Sequence, residues 1–116
     1  NLKRAPFFQA AEIEDVQLGL LGMHQQQNAA IARKIASIIG IDSEDIILTG
    51  LRKARWPGRM HQININGREV WVDMAHNVNA AQTAVQTMHE LHHTPFHLLF
   101  SLRASKDIQG FIEAFR

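Results

Sequence analysis

Residues 60–73 read MHQININGREVWVD, and this stretch decides the fold of the second half of the chain. It contains two short runs rich in β-branched residues, MHQINI and EVWVD, which are separated by Asn66-Gly67-Arg68. Asn-Gly between two such runs is the strongest short-range signal for a hairpin, because these residues tolerate the positive φ angles that a tight turn requires. The stretch therefore predicts a β-hairpin.

The residues after the hairpin alternate between helix-like and strand-like patterns. Residues 79–93 place apolar side chains on one helical face, FHLLFSL (96–102) is a continuous apolar run typical of a buried strand, and residues 105–116 resemble the start of another helix. This order predicts an α/β fold with a mostly parallel, Rossmann-like sheet and right-handed crossovers. Such a sheet needs more strands than the chain supplies, so we expect only part of that domain here.

The residues before the hairpin predict two helices. Apolar clusters over residues 5–21 indicate extended structure, which a glycine then interrupts. Residues 23–40 repeat alanine and isoleucine at helical spacing and end at a glycine, which is a common helix stop. A second helix is predicted over residues 41–54, with Asp42 or Ser43 as its N-cap.

The Trp-Pro-Gly sequence at residues 56–58 marks a boundary. Proline restricts the residue before it and has no N–H to donate, so the second helix is expected to end here. We therefore predict a first unit over residues 1–50, a linker over residues 51–58 and a second unit over residues 59–116.

The composition excludes several classes of protein. The chain has 116 residues, 46% of them hydrophobic, and a formal net charge of +1, which is far from the basic excess of a nucleic-acid-binding module. It has no cysteine and no apolar run long enough to span a membrane. Its first residues include neither an initiator Met nor a signal peptide, so we interpret the chain as an internal piece of a longer, cytoplasmic protein.

The first candidate site is Asp73-Met74-Ala75-His76-Asn77, which lies between a predicted strand and a predicted helix. Open α/β sheets bind ligands at the carboxyl ends of their strands, where a carboxylate can accept hydrogen bonds from ribose hydroxyls. His76 and Asn77 lie beside the unpaired N–H groups of the helix start, which favour anions. Alternatively, Asp73 and Asn77 only cap the helix.

The second candidate is Arg59, because it follows a rigid turn at the predicted boundary. From there its guanidinium could reach a phosphate across a cleft as a bidentate donor, although an ordinary surface ion pair would explain it equally well. Three nearby basic residues are predicted to form the solvated face of the preceding helix: Arg52, Lys53 and Arg55.

The third candidate is the stretch Gly22-Met23-His24-Gln25, followed by Asn28. Side-chain amides near a helix start present both donors and acceptors, and so they can pair with the edge of an adenine ring. Capping of the helix is the alternative explanation for the same residues.

A cluster of histidines points to a different function, a zinc-dependent hydrolase, since residues 89–93, HELHH, match the H-E-x-x-H metalloprotease pattern. Pro95 breaks the helix soon after this stretch, no cysteine is present and no third ligand is apparent. Histidines near a helix C-terminus are also favoured by the helix dipole alone. We therefore assign no metal ligand to this chain and keep the hydrolase as a minor alternative.

Four stretches occur in one order along the chain: LGLLGMHQQQNAAIA (18–32), GLRKARWPGRM (50–60), a strand ending in DMAHN (73–77) and LLFSLRASKD (98–107). Together they resemble folylpolyglutamate synthase/dihydrofolate synthase, a branch of the Mur ligase superfamily, from about Leu18 onward. Two features depart from that family. Val78 stands where the family usually has proline, and no G-x-x-x-x-G-K-[ST] phosphate loop is present.

The resemblance implies a role for each candidate residue. Asn28 would contact the adenine of ATP, and Asp73 would hold its ribose. Arg59 would reach the phosphates, and His76 would lie close to the same site. By this resemblance Arg59 and His76 would be the catalytic residues of the chain.

The resemblance also implies a reaction and a setting. Residues 1–50 would end the ATPase domain and residues 59–116 would begin the C-terminal domain, with the phosphate loop and the Mg²⁺ ligands upstream. A cytoplasmic, monomeric enzyme would use ATP to join L-glutamate to dihydropteroate or a folate through an acyl phosphate, and this piece alone would be inactive. A peptidoglycan Mur ligase and a non-catalytic α/β binding module are the alternatives. Mur ligases tend to have His-Asn where this chain has His24-Gln25, which favours the folate branch.

Overall fold

A computed structural model describes residues 7–11, 13, 16–93 and 95–116 of the chain. In that part it contains six regular elements: α1 (His24–Ile38), α2 (Glu44–Lys53), β1 (His61–Ile65), β2 (Arg68–Val72), α3 (Val78–Glu90) and α4 (Ile108–Glu113). None of these helices is both long enough and apolar enough to cross a membrane.

The predicted hairpin is confirmed. β1 and β2 pair antiparallel, with Ile63 opposite Val70. Asn66 and Gly67 form the turn at φ angles of 51° and 80°, which Asn and Gly adopt more readily than other residues. The side-chain Oδ1 of Asn64 accepts a hydrogen bond from the N–H of Gly67 over 2.9 Å. The tight turn reverses the direction of the chain, so the end of β2 lies beside the residues that precede β1.

The predicted helices are also present, with small shifts at their ends. Gly40, the predicted stop, follows α1 at a φ of 87°. Ser43 is the N-cap residue of α2, although its side chain makes no capping hydrogen bond, and the helix ends at Lys53, ahead of the Trp-Pro-Gly sequence. α3 has a side-chain cap, since Oδ1 of Asn77 accepts a hydrogen bond from the N–H of Ala80 over 2.8 Å.

The predicted strand over residues 96–102 is absent, and Leu99 within it is 97% exposed. The described part of residues 5–21, predicted to be extended, contains no strand either; residues 1–6, 12, 14 and 15 lie outside the described part. A strand needs a neighbour that pairs with its N–H and C=O groups. The described residues contain one sheet, formed by β1 and β2, so the mostly parallel, Rossmann-like sheet is not found in them.

The buried apolar residues are spread along the described part of the chain: Ile13, Ala29, Ala30, Met60, Ala81, Met88 and Phe111. Ile13, Ala29 and Ala30 make one buried cluster, which holds the irregular N-terminal segment against α1. Near the other end, the ring of Phe111 in α4 lies 5.4 Å from the ring of Phe100. These contacts hold α1 and α4 against neighbouring segments of the chain. The division of the chain at residues 51–58 stays a prediction.

Candidate functional site

Arg59 and Asp73 face a common cavity with a volume of about 150 Å³. The start of α1, the turn before β1, the end of β2 and one face of α3 surround it, and its lining also includes His24, Thr83 and Thr87. One cation, one carboxylate, one imidazole and two hydroxyls therefore converge on a single recess. The fold thus brings together two of the residues predicted to form a site.

The carboxylate of Asp73 accepts a backbone hydrogen bond on each of its two oxygens. Oδ2 accepts from the N–H of Met60 over 2.9 Å, and Oδ1 accepts from the N–H of Ala75 over 2.8 Å. Asp73 therefore does not cap α3, and that alternative is wrong for this residue, whereas it is right for Asn77. Its carboxylate instead holds the turn before β1 against the end of β2.

The turn that carries Arg59 is constrained on both sides. Gly58 has a φ of 79° and Met60 a φ of 42°, so the residues flanking Arg59 are both in the left-handed region. The carbonyl of Gly58 accepts a hydrogen bond from the N–H of Met74 over 2.8 Å. The Arg59 side chain itself is exposed and forms no ion pair with a described carboxylate. The predicted alternative of a surface ion pair therefore has no support among the described residues.

His24, which belongs to the third candidate stretch, also lines this cavity, although no role was predicted for its own side chain. Burial lowers the pKa of His24 below its ordinary value, and the nearby Arg59 guanidinium lowers it further, while Asp73 and Glu90 act in the opposite direction. The imidazole is therefore mainly neutral near pH 7. Gly22 lies directly against it, since a Cβ there would come within 2.8 Å of the ring. The helical spacing of His24 and Asn28, which lie four residues apart on one face, is the sequence signal that could have revealed it.

Asn28 and His76, also predicted as site residues, do not line this cavity. Asn28 is exposed on α1, one turn beyond His24, and its Nδ2 donates a hydrogen bond to Oε1 of Gln25 over 3.0 Å. His76 is exposed, with its Nδ1 located 3.1 Å from the carbonyl oxygen of Met74. The structure therefore brings Arg59 and Asp73 together and leaves the other two at the periphery.

No family model matches the chain, whereas a search of known proteins found relatives that are named folylpolyglutamate synthases. It is 35% identical over 98 residues to a probable bifunctional folylpolyglutamate synthase/dihydropteroate synthase of Haloferax volcanii, a match that covers 84% of this chain and 12% of that protein. It is 30% identical over 106 residues to the dihydrofolate synthase/folylpolyglutamate synthase of Bacillus subtilis, a match that covers 86% of this chain and 24% of that protein.

Solved structures agree with these relatives. The folylpolyglutamate synthase of Thermotoga maritima superposes with a TM-score of 0.69 at 29% identity, over 89% of this chain and 25% of that one. The chain belongs to the folylpolyglutamate synthase family. The folylpolyglutamate synthase of Mycobacterium tuberculosis, solved as a complex with ADP, gives a TM-score of 0.66 at 28% identity, over 87% of this chain and 23% of that one. This member of the family thus spans about a quarter of its relatives' length, or less.

In this folylpolyglutamate synthase-family chain Arg55 is exposed, as predicted, but it lies beyond the end of α2 and its guanidinium also contacts the main chain. Its Nη1 donates to the carbonyls of Gly19, Arg52 and Ala54 over 3.3, 2.9 and 2.8 Å. The N–H of Gly19 also donates to the carbonyl of Leu51 over 3.0 Å. These bonds join the loop before α1 to the end of α2. Gly19 and Arg55 also line a second recess of about 280 Å³, and Arg59 is another of its lining residues.

The histidine cluster does not have the geometry of a zinc site among the described residues. α3 ends at Glu90, so His93 lies beyond the helix on which the H-E-x-x-H pattern depends. His93 instead places its Nε2 3.2 Å from Oε1 of Glu69 and its ring 5.3 Å from that of Trp71. Within the described ranges, no group of three or more His, Cys, Asp or Glu residues could hold a metal ion.

Proposed function

We propose that this chain is part of an ATP-dependent ligase that joins L-glutamate to dihydropteroate or to a folate. The observation that carries the proposal is the cavity shared by Arg59 and Asp73, since a guanidinium and a carboxylate in one recess fit the phosphates and the ribose of a nucleotide. Two further findings support it. Its relatives are named folylpolyglutamate synthases, and the M. tuberculosis relative was solved with ADP.

The residues around the cavity suit a nucleotide in charge and in hydrogen-bonding capacity. Each oxygen of Asp73 accepts one backbone hydrogen bond and keeps a second lone pair that a ribose hydroxyl could use. The exposed guanidinium of Arg59 has no competing carboxylate among the described residues. At about 150 Å³ the cavity is smaller than the ~300–1,000 Å³ of a typical ligand pocket. This chain would therefore supply one wall of the site.

Asn28 and His76 would lie at the two edges of that wall. Asn28 projects from α1 one turn beyond His24, so its amide would meet the adenine ring outside the cavity. His76 belongs to the loop between β2 and α3 that begins at Asp73, and we place it beside the same nucleotide. This arrangement assigns adenine, ribose and phosphate contacts to successive parts of one surface.

Arg59 would perform the electrostatic part of the catalysis. ATP would supply a phosphoryl group to a substrate carboxylate, and the amine of L-glutamate would then displace phosphate from that acyl phosphate to form the amide. Arg59 would stabilise the negative charge on the transferring group. Because Asp73 holds the adjacent Met60, the cation would need little rearrangement during the reaction. We place the Mg²⁺ ligands in another part of the protein.

The division of the chain into residues 1–50, 51–58 and 59–116 completes the proposal. The cavity is lined by His24 and by Asp73, so under this division it would lie at the boundary of the two units. Closure of such a boundary over bound substrates would exclude water and protect an acyl phosphate from hydrolysis. We propose that the enzyme acts as a monomer in the cytoplasm.

The direct test supplies the natural protein, at its full length, with ATP, L-glutamate and either dihydropteroate or tetrahydrofolate. We expect ADP and a glutamylated product in equal amounts, and no product when ATP is omitted. Turnover confined to UDP-linked muramyl substrates would identify a peptidoglycan ligase instead. Nucleotide binding without turnover of either substrate class would indicate a binding module, and no binding of ATP at all would contradict both the ligase and its site.

A further inference from the structure

Met60 has a backbone conformation that its residue type does not favour. Three non-glycine residues of the described part have a positive φ: Met60, Asn66 and His92, at 42°, 51° and 59°. Asn66 lies in the hairpin turn and His92 just beyond the end of α3, two places where left-handed residues are common, and Asn and His adopt this region more readily than most residues. Neither reason applies to Met60, so its conformation is strained and must be held by its surroundings.

The surroundings of Met60 hold both its backbone and its side chain. Its N–H donates a hydrogen bond to Oδ2 of Asp73 over 2.9 Å. Its side chain is buried and lines both recesses beside Arg59. The turn before it is closed by a hydrogen bond from the N–H of Arg59 to the carbonyl of Trp56 over 3.1 Å. A strained residue that is held this firmly beside a candidate site indicates that the strained conformation serves the site.

The φ angle of Met60 determines where Arg59 lies relative to the hairpin. This angle describes rotation about the bond between the nitrogen and the Cα of Met60, and that nitrogen belongs to the planar peptide that joins the two residues. With β1 fixed, a change from 42° to an ordinary negative φ would swing this peptide by roughly 100° and would carry Arg59 with it. The same rotation would turn the N–H of Met60 away from Asp73. The hydrogen bond and the position of Arg59 therefore depend on one angle.

We propose that Met60 is a positioning residue for Arg59, because its left-handed backbone, fastened to Asp73, directs the guanidinium into the cavity that Arg59 and Asp73 share. The catalytic consequence of this inference rests on the proposed function, whereas the position of Arg59 can be measured without any turnover. The role of Met60 is indirect. It acts through Arg59, whose cation would be in position before the nucleotide binds.

Two isomeric substitutions in the natural full-length protein separate the backbone of Met60 from its side chain. Met60→Leu keeps an apolar side chain that has no branch at Cβ, so it tolerates the left-handed region about as well as methionine does. Met60→Ile has the same atoms but branches at Cβ, and such residues almost never adopt that region. Leucine and isoleucine bury nearly equal apolar areas, so a difference between the two variants reports on the backbone.

The pKa of His24 reports where the guanidinium of Arg59 lies. Burial lowers this pKa first and the Arg59 cation lowers it further, while Asp73 and Glu90 act in the opposite direction. Withdrawal of Arg59 from the cavity should therefore raise the pKa. We expect an NMR titration to show this rise in Met60→Ile and no such rise in Met60→Leu. In an Arg59→Ala background Met60→Ile should cause no further rise, because the cation is already absent.

Turnover measures the catalytic consequence. Misplacement of a catalytic group by roughly 1 Å can cost about 10²-fold, so Met60→Ile should lower kcat for ATP-dependent glutamate ligation by about that factor. Met60→Leu should retain most of the activity. In the Arg59→Ala background Met60→Ile should cause no further loss, whereas a general structural defect would lower kcat in both backgrounds. Thermal unfolding shows whether each variant is folded, and Met60→Val, a smaller branched residue, takes the place of an unfolded Met60→Ile.

The two readouts distinguish this inference from the proposed function. An unchanged pKa of His24 in folded Met60→Ile overturns the positioning role whatever the activity, and so does a rise that also occurs in Met60→Leu or in the Arg59→Ala background. A raised pKa with normal turnover keeps the positioning of Arg59 and refutes its part in the proposed catalysis. If neither branched variant folds while Met60→Leu does, the conformation serves folding as a whole, and the inference is overturned as well.

Discussion

The backbone N–H of Met60 donates a hydrogen bond to Oδ2 of Asp73 over 2.9 Å, and this bond joins the turn that carries Arg59 to the end of β2. The carbonyl of Gly58 accepts from the N–H of Met74 over 2.8 Å, so the junction has a second bond in the opposite sense. Asp73 therefore has two roles in the proposed site. It would offer lone pairs to a ribose, and its bond to Met60 holds the backbone beside Arg59.

Asp73→Ala should impair both stability and activity. The substitution leaves the N–H of Met60, a residue that is 7% exposed, without its partner, and an unsatisfied buried N–H costs about 1–3 kcal/mol. We expect urea denaturation of the full-length protein to show a loss of that size, together with a large fall in ATP-dependent glutamate ligation. Asp42→Ala, which removes an exposed carboxylate, is the control and should change neither. Unchanged stability in Asp73→Ala would refute the structural half of this account.

Arg59→Ala should impair activity and spare stability. The side chain is exposed and has no ion pair with a described carboxylate, so its removal should change the free energy of unfolding by no more than about 0.5 kcal/mol. Loss of a cation that stabilises the transferring phosphoryl group should lower kcat by about 10²–10³-fold. Arg59→Lys keeps the charge without the bidentate geometry and should give an intermediate rate. Ligation at a normal rate in both variants would mean that Arg59 does not contact the phosphates.

Much of the local structure could be predicted from sequence because its causes are local. Asn66-Gly67 specifies a hairpin turn through the φ angles of two adjacent residues, and Asn77 caps α3 through a bond to Ala80. The run at residues 96–102 is different. Its apolar pattern suits a strand, but a strand forms only where another strand pairs with it, and the sheet among the described residues ends at β1 and β2.

The residues of the candidate site could be predicted only in part. The resemblance to the family implied that Arg59 and Asp73 belong to one site, and the two do line one cavity, whereas Asn28 and His76 do not line it. The backbone bonds of Asp73 could not be foreseen, because their donor at Met60 belongs to the main chain and leaves no mark in the sequence. The hydrogen bonds of Arg55 could not be foreseen either. Its position among other basic residues predicted a solvated side chain, and its partners are three main-chain carbonyls.

The pKa of His24 should report directly on the charges in the cavity. Burial lowers it first and Arg59 second, so Arg59→Ala should raise the pKa of His24, while Asp73→Asn removes an opposing charge and should lower it further. NMR titration of the His24 ring protons measures both shifts. A pKa at or above the ordinary imidazole value of about 6.5 in the unaltered protein would contradict the described environment.

The same shift predicts how stability should depend on pH. Because the pKa of His24 is lower in the folded protein, the unfolded chain binds a proton more readily between the two values. The contribution of the neutral imidazole should be fully present above about pH 6.5 and should be lost as the pH falls through the lowered pKa. Urea denaturation at a series of pH values checks this. His24→Gln removes the titrating group and should flatten the profile in that window.

Two glycine-to-alanine substitutions should change stability in opposite directions, because one glycine is packed against main chain and the other is not. A Cβ on Gly19 would lie 2.3 Å from the carbonyl oxygen of Ala54 and 2.5 Å from that of Arg52, and main-chain atoms cannot rotate away. We expect Gly19→Ala to lower the free energy of unfolding by about 1–3 kcal/mol or more. Gly50 lies within α2 and a Cβ there would meet no atom within 4 Å, so Gly50→Ala should raise it by about 0.5–1 kcal/mol.

The Gly19 substitution should also affect the site, since the loop that begins there leads to His24. Displacing the loop from the end of α2 would break the bonds to Leu51 and Arg55 and would shift the start of α1, which carries His24 toward the cavity. We therefore expect a raised KM for ATP in Gly19→Ala and an unchanged KM in Gly50→Ala. Equal stability of the two variants, or a normal KM in a clearly destabilised Gly19→Ala, would show that the loop and the cavity are not coupled in this way.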